Sequence, residues 1–311
     1  MAGKTLAIAG GVGGAKLALG LTRVLSSEHL VICVNTGDDD CFHGLHVSPD
    51  LDTMMYTLAG LSDPQFGWGL KDDTFTALTM LKQYGADTWF NLGDRDLGTH
   101  IRRTQLLGRG ATLSQVTLEL CKSLGVEHKV IPMSDDPVRT VIGTPNGDLS
   151  MQEYFVHQGA EPVVQSIRYD GAQAAKPSPG LELALNDADL IVFCPSNPFL
   201  SMGPILALPG VLDALKKSSA RKVAVSPIVG GDAVKGPAGK IMSELGQEVS
   251  CVGVANQYRD FCDYFVIDGQ DSHLGPRIED LGIKPVVDSI IMQTESDKIA
   301  LGQSVIALGN R

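Results

Sequence analysis

The 311-residue sequence contains no long apolar run and no excess of basic residues, and each absence excludes a class of protein. No stretch of 18 consecutive apolar residues occurs, and the opening MAGKTLAIAGG has neither an extended hydrophobic region nor a cleavage site. We therefore expect no signal peptide and no membrane span. The formal net charge of -11 argues against a nucleic-acid partner, because such a partner requires a basic surface. A cytoplasmic protein that binds neither membranes nor nucleic acid is expected.

Paired cysteines are also missing. The six cysteines show no CxxC spacing, and several lie in apolar runs, where cysteine acts as a small core residue. We therefore expect reduced thiols. Hydrophobic residues make up 43% and charged residues 20% of the chain, with 35 glycines, which favours a folded, loop-rich α/β protein over a disordered one. A chain of this length can bury a large core as one large or two modest domains.

An aspartate-rich stretch between Asn35 and Asp52 organises the chain. It follows the apolar run Leu30–Val34, which indicates a buried parallel strand that delivers acidic side chains to its carboxyl end, where open α/β sheets bind ligands. So many carboxylates repel one another unless they face water or share a cation, and an all-oxygen cluster suits Mg²⁺ better than zinc. The alternative is a solvated turn followed by an aspartate that caps a helix. The aspartates are Asp38, Asp39, Asp40, Asp50 and Asp52.

A glycine-rich turn, GGVGGAK, runs from Gly10 to Lys16 between a predicted strand at residues 6–9 and a predicted helix that extends to about residue 25. Backbone N–H groups at the start of such a helix can hold phosphate. The turn lacks the Lys-Ser/Thr ending of a P-loop and the full GxGxxG spacing of a dinucleotide site. By itself it is compatible with a phosphate site, with a nicotinamide-dependent oxidoreductase and with a tight turn that binds nothing.

The pattern changes between residues 126 and 170. Short β-rich runs at residues 140–142 and 153–156 flank the hairpin signal PNGD. We predict a small inserted β-rich subdomain at residues 126–170, of α+β type. The remaining residues, 1–125 and 171–311, are predicted to form a Rossmann-like α/β core, a mostly parallel sheet with helices on both faces.

Polar residues also follow two later predicted strands, at residues 190–194 and 223–225. The first ends in PSNP and the second in SPIVGG. These loops repeat the arrangement of the first two strands, with polar groups at the carboxyl ends. Residues 249–255 are a further strand candidate, and the last helix is expected at about residues 297–308.

Taken together, the motifs resemble the 2-phospho-L-lactate transferases of deazaflavin coenzyme F(420) biosynthesis. The resemblance covers nearly the whole chain, and its specificity comes from the joint occurrence of the motifs in this order. They are GGVGGAK, NTGDD, SPDLDT, GLKDDTF, LGDRDLGTH, MSDDPVRT, QEYF, PSNPFLSMGPIL, VSPIVGG and KGPAGK.

The resemblance implies a transferase that takes a guanosine diphosphate-type donor carrying a three-carbon phospho-acid. The acid is 2-phospholactate, phosphoenolpyruvate or phosphoglycerate, and its phosphate moves to the ribityl hydroxyl of the deazaflavin Fo (7,8-didemethyl-8-hydroxy-5-deazariboflavin) with release of GMP. Mg²⁺ is the implied cofactor, with Mn²⁺ as the alternative, and a homodimer is the implied assembly. The alternative is a nucleotide-sugar-binding regulatory protein of the same fold.

The same resemblance assigns roles to individual residues. It implies Asp39 and Asp50 as metal ligands and Asp50, Asp52 and Arg95 as catalytic residues. The family pattern is not consistently acidic at Asp40, which receives no role. Residues 66–70 and the Trp89-Phe90 pair are candidates for the deazaflavin wall. The implied substrate-binding residues are Gly10, Gly11, Gly13, Gly14, Lys16, Asn35, Thr36, Asp50, Asp94, Arg95, Ser134, Asp135, Ser196, Asn197, Pro198, Gly230 and Gly231.

Overall fold

The computed structural model describes residues 3–309, which contain a seven-stranded parallel sheet, three smaller sheets and helices around them. The strands are β1 (Thr5–Ala9), β2 (Leu30–Val34), β3 (Asp40–Phe42), β4 (Leu45–Val47), β5 (Lys129–Pro132), β6 (Arg139–Thr144), β7 (Gly147–Ser150), β8 (Ser166–Asp170), β9 (Leu190–Phe193), β10 (Arg221–Val225), β11 (Ile228–Val229), β12 (Asp232–Ala233), β13 (Tyr264–Asp268) and β14 (Lys284–Asp288).

The α-helices are α1 (Gly11–Val24), α2 (Pro49–Leu58), α3 (Thr76–Gln83), α4 (Asp96–Gly108), α5 (Leu113–Ser123), α6 (Pro179–Asp187), α7 (Gly203–Leu206), α8 (Val211–Lys217), α9 (Ala238–Glu244), α10 (Cys251–Tyr258), α11 (Gly275–Glu279) and α12 (Glu295–Gly309). Two π-helical segments, Glu153–His157 and Pro198–Met202, and one 3-10 segment, Gly269–Leu274, complete the regular structure.

The main sheet has the strand order β14-β13-β10-β9-β1-β2-β5, and every neighbouring pair is parallel. The chain runs outward from β1 first to β2 and β5, and later through β9, β10, β13 and β14 on the other side. The order therefore reverses between β1 and β9, where open α/β sheets form a ligand crevice at the carboxyl ends of their strands. This arrangement confirms the predicted Rossmann-like α/β fold.

The central strands of the sheet are buried on both faces, which explains why they are largely apolar runs, whereas the edge strand β14 is partly exposed. Alternate residues of a strand point to opposite faces, and in β1 Leu6 and Ile8 join one hydrophobic core while Ala7 and Ala9 join the other. The core that contains Ala7 and Ala9 also receives buried residues of α1, α2, α5 and α12. The other core includes residues of α6, α8 and α10 and of the three-stranded sheet formed by β6, β7 and β8.

The predicted subdomain contains a three-stranded antiparallel sheet in the order β7-β6-β8, and β6 and β7 form the predicted hairpin. Lys129–Pro132, which lies within the range predicted for the subdomain, pairs with β2 as the edge strand of the main sheet. The strand expected at residues 153–156 is wrong, since this segment is π-helical. There Tyr154 is buried while Phe155 and Val156 are exposed. The division of the chain into a core and an inserted domain stays a prediction.

The strand expected at residues 249–255 is also wrong, because Cys251–Tyr258 is a helix. The Ser250 hydroxyl accepts a hydrogen bond from the Gly253 N–H at 3.1 Å and caps this helix. The helix is buried along most of its length. A buried helical segment and a buried strand share the same continuous apolar pattern, and the serine cap distinguishes them.

No single helix among residues 3–309 is both long and apolar enough to cross a membrane. The segments Pro198–Leu206 and Val211–Lys217 pass that test only as a pair, and they meet at 85°.

Candidate active site

A cavity of about 590 Å³ opens at the carboxyl edge of the main sheet, where the strand order reverses. The loops after β1, β2, β9 and β10 and the first turns of α2 supply its polar wall. Loops from both halves of the sheet thus meet at one cavity. The glycine turn packs tightly against the loop after β9, because a Cβ atom on Gly13 would lie 2.3 Å from the Pro195 carbonyl oxygen.

Three buried aspartates, Asp38, Asp39 and Asp50, lie at this edge of the sheet, and two of them contact the Asn35 side chain. The Asn35 Nδ2 donates to Asp38 Oδ1 at 2.9 Å and to Asp50 Oδ2 at 3.0 Å, so one amide group holds two carboxylates together. Asp50 occupies the first turn of α2, where the helix dipole favours a negative charge. Asp39 Oδ2 accepts a hydrogen bond from the Ser48 hydroxyl at 2.7 Å and lies 3.0 Å from His46 Nε2.

Burial and mutual repulsion disfavour the charged forms of two of these carboxylates. Burial raises the pKa of Asp50 to about 6, although the Asn35 amide and the Gly11 N–H oppose the shift. Burial, followed by the charges of Asp50 and Asp39, raises the pKa of Asp38 well above its usual range. The Asp39 Oδ1 atom is buried and accepts no hydrogen bond. Both the charge and the free oxygen are what a cation site requires.

A second acidic group lies beside the first and is already neutralised in part. Asp52 accepts hydrogen bonds from both terminal nitrogens of Arg103, a side chain that is only 1% exposed. His100 lies 3.7 Å from Asp52 Oδ2 through Nδ1 and 3.2 Å from Asp96 Oδ2 through Nε2. Among residues 3–309, Asp52, Asp96 and His100 are the one group of three metal-ligating side chains whose ligand atoms lie within 4.8 Å of one another.

The sequence interpretation missed this second group. Asp96, His100 and Arg103 are spaced at i, i+4 and i+7 on α4, so they form a polar stripe on one face of that helix. On a sequence, such a stripe looks like a solvated helix face. Here it is turned inward, against Asp52 and the Tyr56 hydroxyl, which donates to Asp96 at 2.6 Å.

Two lysines supply positive charge to the cavity. Lys16, on α1, donates to the Met292 carbonyl oxygen at 3.0 Å, and Lys235 donates to the Phe66 carbonyl oxygen. Burial lowers the pKa of both lysines, and the charge of Lys16 lowers the pKa of Lys235 further. The cavity therefore contains both the acidic cluster and a pair of cations.

Apolar side chains form the outer part of the cavity. Trp68 and Phe90, both from the predicted deazaflavin wall, line it. Phe90 stacks on Phe42 with ring centroids 3.9 Å apart and an interplanar angle of 6°. Trp89 does not line the cavity and instead stacks on His157 at 4.7 Å. The wall can accept a large flat ligand through Trp68 and Phe90.

Fewer than half of the predicted site residues reach the cavity wall. The others lie behind it or elsewhere in the fold, and they are Gly14, Asn35, Thr36, Asp39, Asp94, Arg95, Ser134, Asp135, Pro198, Gly230 and Gly231. Those that line the cavity are Gly10, Gly11, Gly13, Lys16, Asp50, Asp52, Ser196 and Asn197.

Several of the predicted residues make structural hydrogen bonds. Asp135 accepts from the Ser114 N–H at the start of α5, and Ser134 donates to the Lys176 carbonyl oxygen. Gly230 donates its N–H to the buried Asp271 carboxylate. These contacts account for the polar character of both loops without a ligand.

The loops around Asp94 and Arg95 also have structural contacts. Asp94 accepts from the Thr76 and Ala77 N–H groups and so caps α3, while Asp73 accepts from the Arg95 N–H at 2.8 Å. Arg95 is exposed, and its guanidinium donates to the Lys71 carbonyl oxygen at 2.8 Å.

Comparison with known proteins adds a family to this geometry. Residues 5–297 match the family described as 2-phospho-L-lactate transferase CofD. The chain is 40% identical over 300 residues to the 2-phospho-L-lactate transferase of Methanosarcina barkeri, covering 96% of each protein. It is 38% identical over 315 residues to the phosphoenolpyruvate transferase of Kitasatospora aureofaciens, covering 99% of this chain and 98% of the relative.

A solved structure supports the fold independently. The crystal structure of a UPF0052 family member from Bacillus halodurans superposes with a TM-score of 0.62 at 18% identity, covering 98% of this chain and 99% of that one. At this identity the likeness bears on the fold alone. The family match and the two curated relatives extend over nearly the whole length, as the sequence motifs had indicated. The chain therefore belongs to the 2-phospho-L-lactate transferase CofD family and is an enzyme of the transferase class.

Proposed function

We propose that this enzyme transfers a three-carbon phospho-acid from a guanosine diphosphate-type donor to the ribityl hydroxyl of Fo, with release of GMP, in coenzyme F(420) biosynthesis. The observation that carries the proposal is one cavity that combines buried carboxylates, two lysines and an aromatic wall. The names of the relatives support the class of group that is moved, phospholactate or phosphoenolpyruvate. A phosphoglycerate donor is the third candidate.

The acidic cluster fits a divalent cation. Asp39 has a buried oxygen without a hydrogen-bond partner, and Asp50 has a pKa raised by burial, so a nearby cation would stabilise both. Asp39 and Asp50 would hold Mg²⁺, or Mn²⁺, through carboxylate oxygens. The group of Asp52, Asp96 and His100 is a weaker candidate because Arg103 already occupies both oxygens of Asp52. When bound, the ion would neutralise diphosphate charge and make GMP a better leaving group.

The chemistry requires one bond to form and one to break. The ribityl oxygen forms a bond to the phosphorus of the phospho-acid while the bond from that phosphorus to the GMP oxygen breaks, with the two oxygens in line. The hydroxyl proton passes to Asp50 or to a water beside it. Because Arg103 holds Asp52, we assign Asp52 the positioning of α2 and not the acceptance of this proton. The lysines compensate the negative charge that leaves with GMP.

A mass-spectrometric assay tests the proposal. Fo, Mg²⁺ and each of the three donors are incubated with the enzyme, and one GMP is expected for each Fo converted to a phosphodiester. Asp50→Asn should lose most of the activity without unfolding. Asp40→Asn removes a carboxylate from the same stretch, on β3 and outside the cavity, and should stay within about threefold of wild type.

Three results would contradict the proposal. Release of GMP without consumption of Fo would indicate a hydrolase. Binding of Fo without product from any donor would favour a regulatory protein. Full activity of Asp50→Asn in excess chelator would remove the cation from the mechanism.

A further inference from the structure

The loop of residues 61–71 is a self-contained unit at the mouth of the cavity. The Lys71 N–H donates to the Leu61 carbonyl at 2.9 Å and closes the base of the loop. Inside it, the Asp63 N–H donates to the Gly69 carbonyl at 3.1 Å. A compact loop with its own hydrogen bonds keeps its shape when its outer contacts change.

This loop, called the tryptophan loop below, has two outer contacts of interest. Gly67 packs against Val12 in the first turn of α1, so closely that a Cβ atom on Gly67 would lie 2.6 Å from Val12 Cγ1. The Phe66 carbonyl oxygen accepts the hydrogen bond from Lys235, across 169 residues of sequence. The loop also presents Trp68, which is 44% exposed, to the cavity. A change in the Lys235 contact therefore acts on the same loop that supplies Trp68 to the aromatic wall.

The Lys235 ammonium is charged, but its hydrogen-bond partner, the Phe66 carbonyl oxygen, is neutral. It lies at the cavity, close enough to Lys16 for the two charges to repel, and each lysine donates to a backbone carbonyl and not to a carboxylate. An anion placed between the two ammonium groups would form charge-assisted hydrogen bonds with both and would remove their repulsion. Such bonds are stronger than bonds to a neutral carbonyl, so an anion can compete for Lys235.

We propose that Lys16 and Lys235 together bind the diphosphate of a nucleoside diphosphate, and that this ligand takes the Lys235 ammonium from the Phe66 carbonyl. The choice of a nucleoside diphosphate rests on the proposed function. Loss of the Lys235 contact releases the tryptophan loop, so occupancy of the donor site changes the environment of Trp68. Lys235 is thus the residue that connects the donor phosphates to the aromatic wall.

Titration calorimetry with GDP and Mg²⁺ tests the binding role of Lys235. Lys235→Met keeps most of the unbranched stem of the side chain and removes its charge, and it should weaken GDP binding about tenfold or more. Lys235→Arg should recover most of the affinity. Lys298→Met is the matched control, because Lys298 also lies close enough to repel Lys16 but does not line the cavity. It should change GDP affinity by less than about twofold.

Fluorescence tests the connection to the loop. The chain has two tryptophans, so a Trp89→Phe background leaves Trp68 as the single reporter, and it is used for binding measurements only. GDP should change the acrylamide quenching of Trp68 when Lys235 is present and should leave it unchanged in Lys235→Met at saturating GDP. Equal quenching changes in both proteins would overturn the connection.

Turnover measured in parallel separates this inference from the proposed function. If Lys235→Met binds GDP as tightly as wild type and the wild type still forms the phosphodiester, the lysine pair is wrong and the proposed function stands. If Lys235→Met loses GDP affinity while no donor yields product, the anion site stands and the transfer reaction is wrong.

Discussion

At the scale of single residues, the buried carboxylates show how function opposes stability. Asp50 is placed where burial raises its pKa, which a residue selected for stability alone would avoid. The hydrogen bond from Asn35 reduces the cost of this burial and also holds Asp50 in one position. The same interaction thus serves both the fold and the proposed cation site.

The raised pKa of Asp50 predicts a pH-dependent stability for the metal-free protein. The folded-state pKa of about 6 lies above the value of about 3.9 in unfolded chains, so between these values the folded state binds more protons. The free energy of unfolding should therefore fall as pH rises from about 4 to 6 and stay lower above that range. Asp50→Asn should be more stable than wild type at pH 7.5, by on the order of 3 kcal/mol, and similar at pH 4.

Urea unfolding in chelator at the two pH values measures this difference. Added Mg²⁺ should restore stability to the wild type and have little effect on Asp50→Asn. Equal stability of the two proteins at pH 7.5 would contradict the electrostatic account of the cluster.

Arg95 provides a second prediction at this scale. If its guanidinium binds phosphate or acceptor in a bidentate manner, Arg95→Lys should lower kcat/KM more than tenfold and Arg95→Ala should lower it further. Arg109→Lys is the control. Arg95 directly precedes α4 and Arg109 directly follows it, so the control changes an arginine at the other end of the same helix, and its kcat/KM should stay near wild type. If both Arg95 variants also keep kcat/KM near wild type, Arg95 serves only its contact with the Lys71 carbonyl oxygen.

At the scale of elements, ion pairs and caps fix the helices that surround the site. Asp94 lies in the loop before α4 and caps α3. Asp73 lies in the loop before α3 and accepts hydrogen bonds from the N–H groups at the start of α4. The two caps therefore connect the two loops and both helices. Hydrogen bonds from the Thr74 hydroxyl and from the Ala77 and Thr76 N–H groups lower the pKa of Asp94 to about 2. This explains the two acidic motifs, KDD and GDRD, in structural terms.

The Arg103 ion pair predicts a large stability effect between α2 and α4. Arg103→Met leaves Asp52 buried without its guanidinium partner, which should cost about 3–5 kcal/mol in urea unfolding. Arg102→Met, one residue away on the same helix, breaks a pair with Glu119 whose side chains are more than 40% exposed, and it should cost less than about 1 kcal/mol.

A double variant tests whether the charge is the cause. Adding Asp52→Asn to Arg103→Met should recover part of the lost stability, because no unpaired charge then remains. If the double variant is as unstable as the sum of the single ones, the effect comes from packing and not from the ion pair.

At the scale of the whole molecule, the six cysteines report on how completely the core is closed. Cys41 is exposed, while Cys33, Cys121, Cys194, Cys251 and Cys262 are buried and carry free thiols. Burial raises the pKa of Cys121 and Cys194 to about 12, which suppresses the reactive thiolate. One thiol of the native protein should therefore react quickly with an aromatic disulfide reagent, and six should react in denaturant.

Cys41→Ser should remove the fast phase and leave five slow thiols. A native protein with two or more fast thiols would show that the sheet faces open readily.

The homodimer implied by the family resemblance stays a prediction, and sedimentation velocity would test it.

Much of the fold follows from local patterns in the sequence. The β-branched run before Asn35, the glycine turn after Ala9 and the PNGD hairpin each depend on residues that are neighbours in the chain. Because the strands are parallel, their carboxyl ends meet at one edge, so the acidic and glycine loops could be placed at one site before any contact was known. The order of motifs along the chain was sufficient to indicate the family.

The tertiary structure decided which polar residues are free to act. Arg103 meets Asp52 across 51 residues and Lys235 meets Phe66 across 169, and neither pairing leaves a local signal. Carboxylates that cap helices, such as Asp94, look identical in sequence to those that face the cavity, such as Asp50. The physical reason is that desolvation and long-range pairing set the charge and availability of a side chain, and both arise only when distant segments pack together.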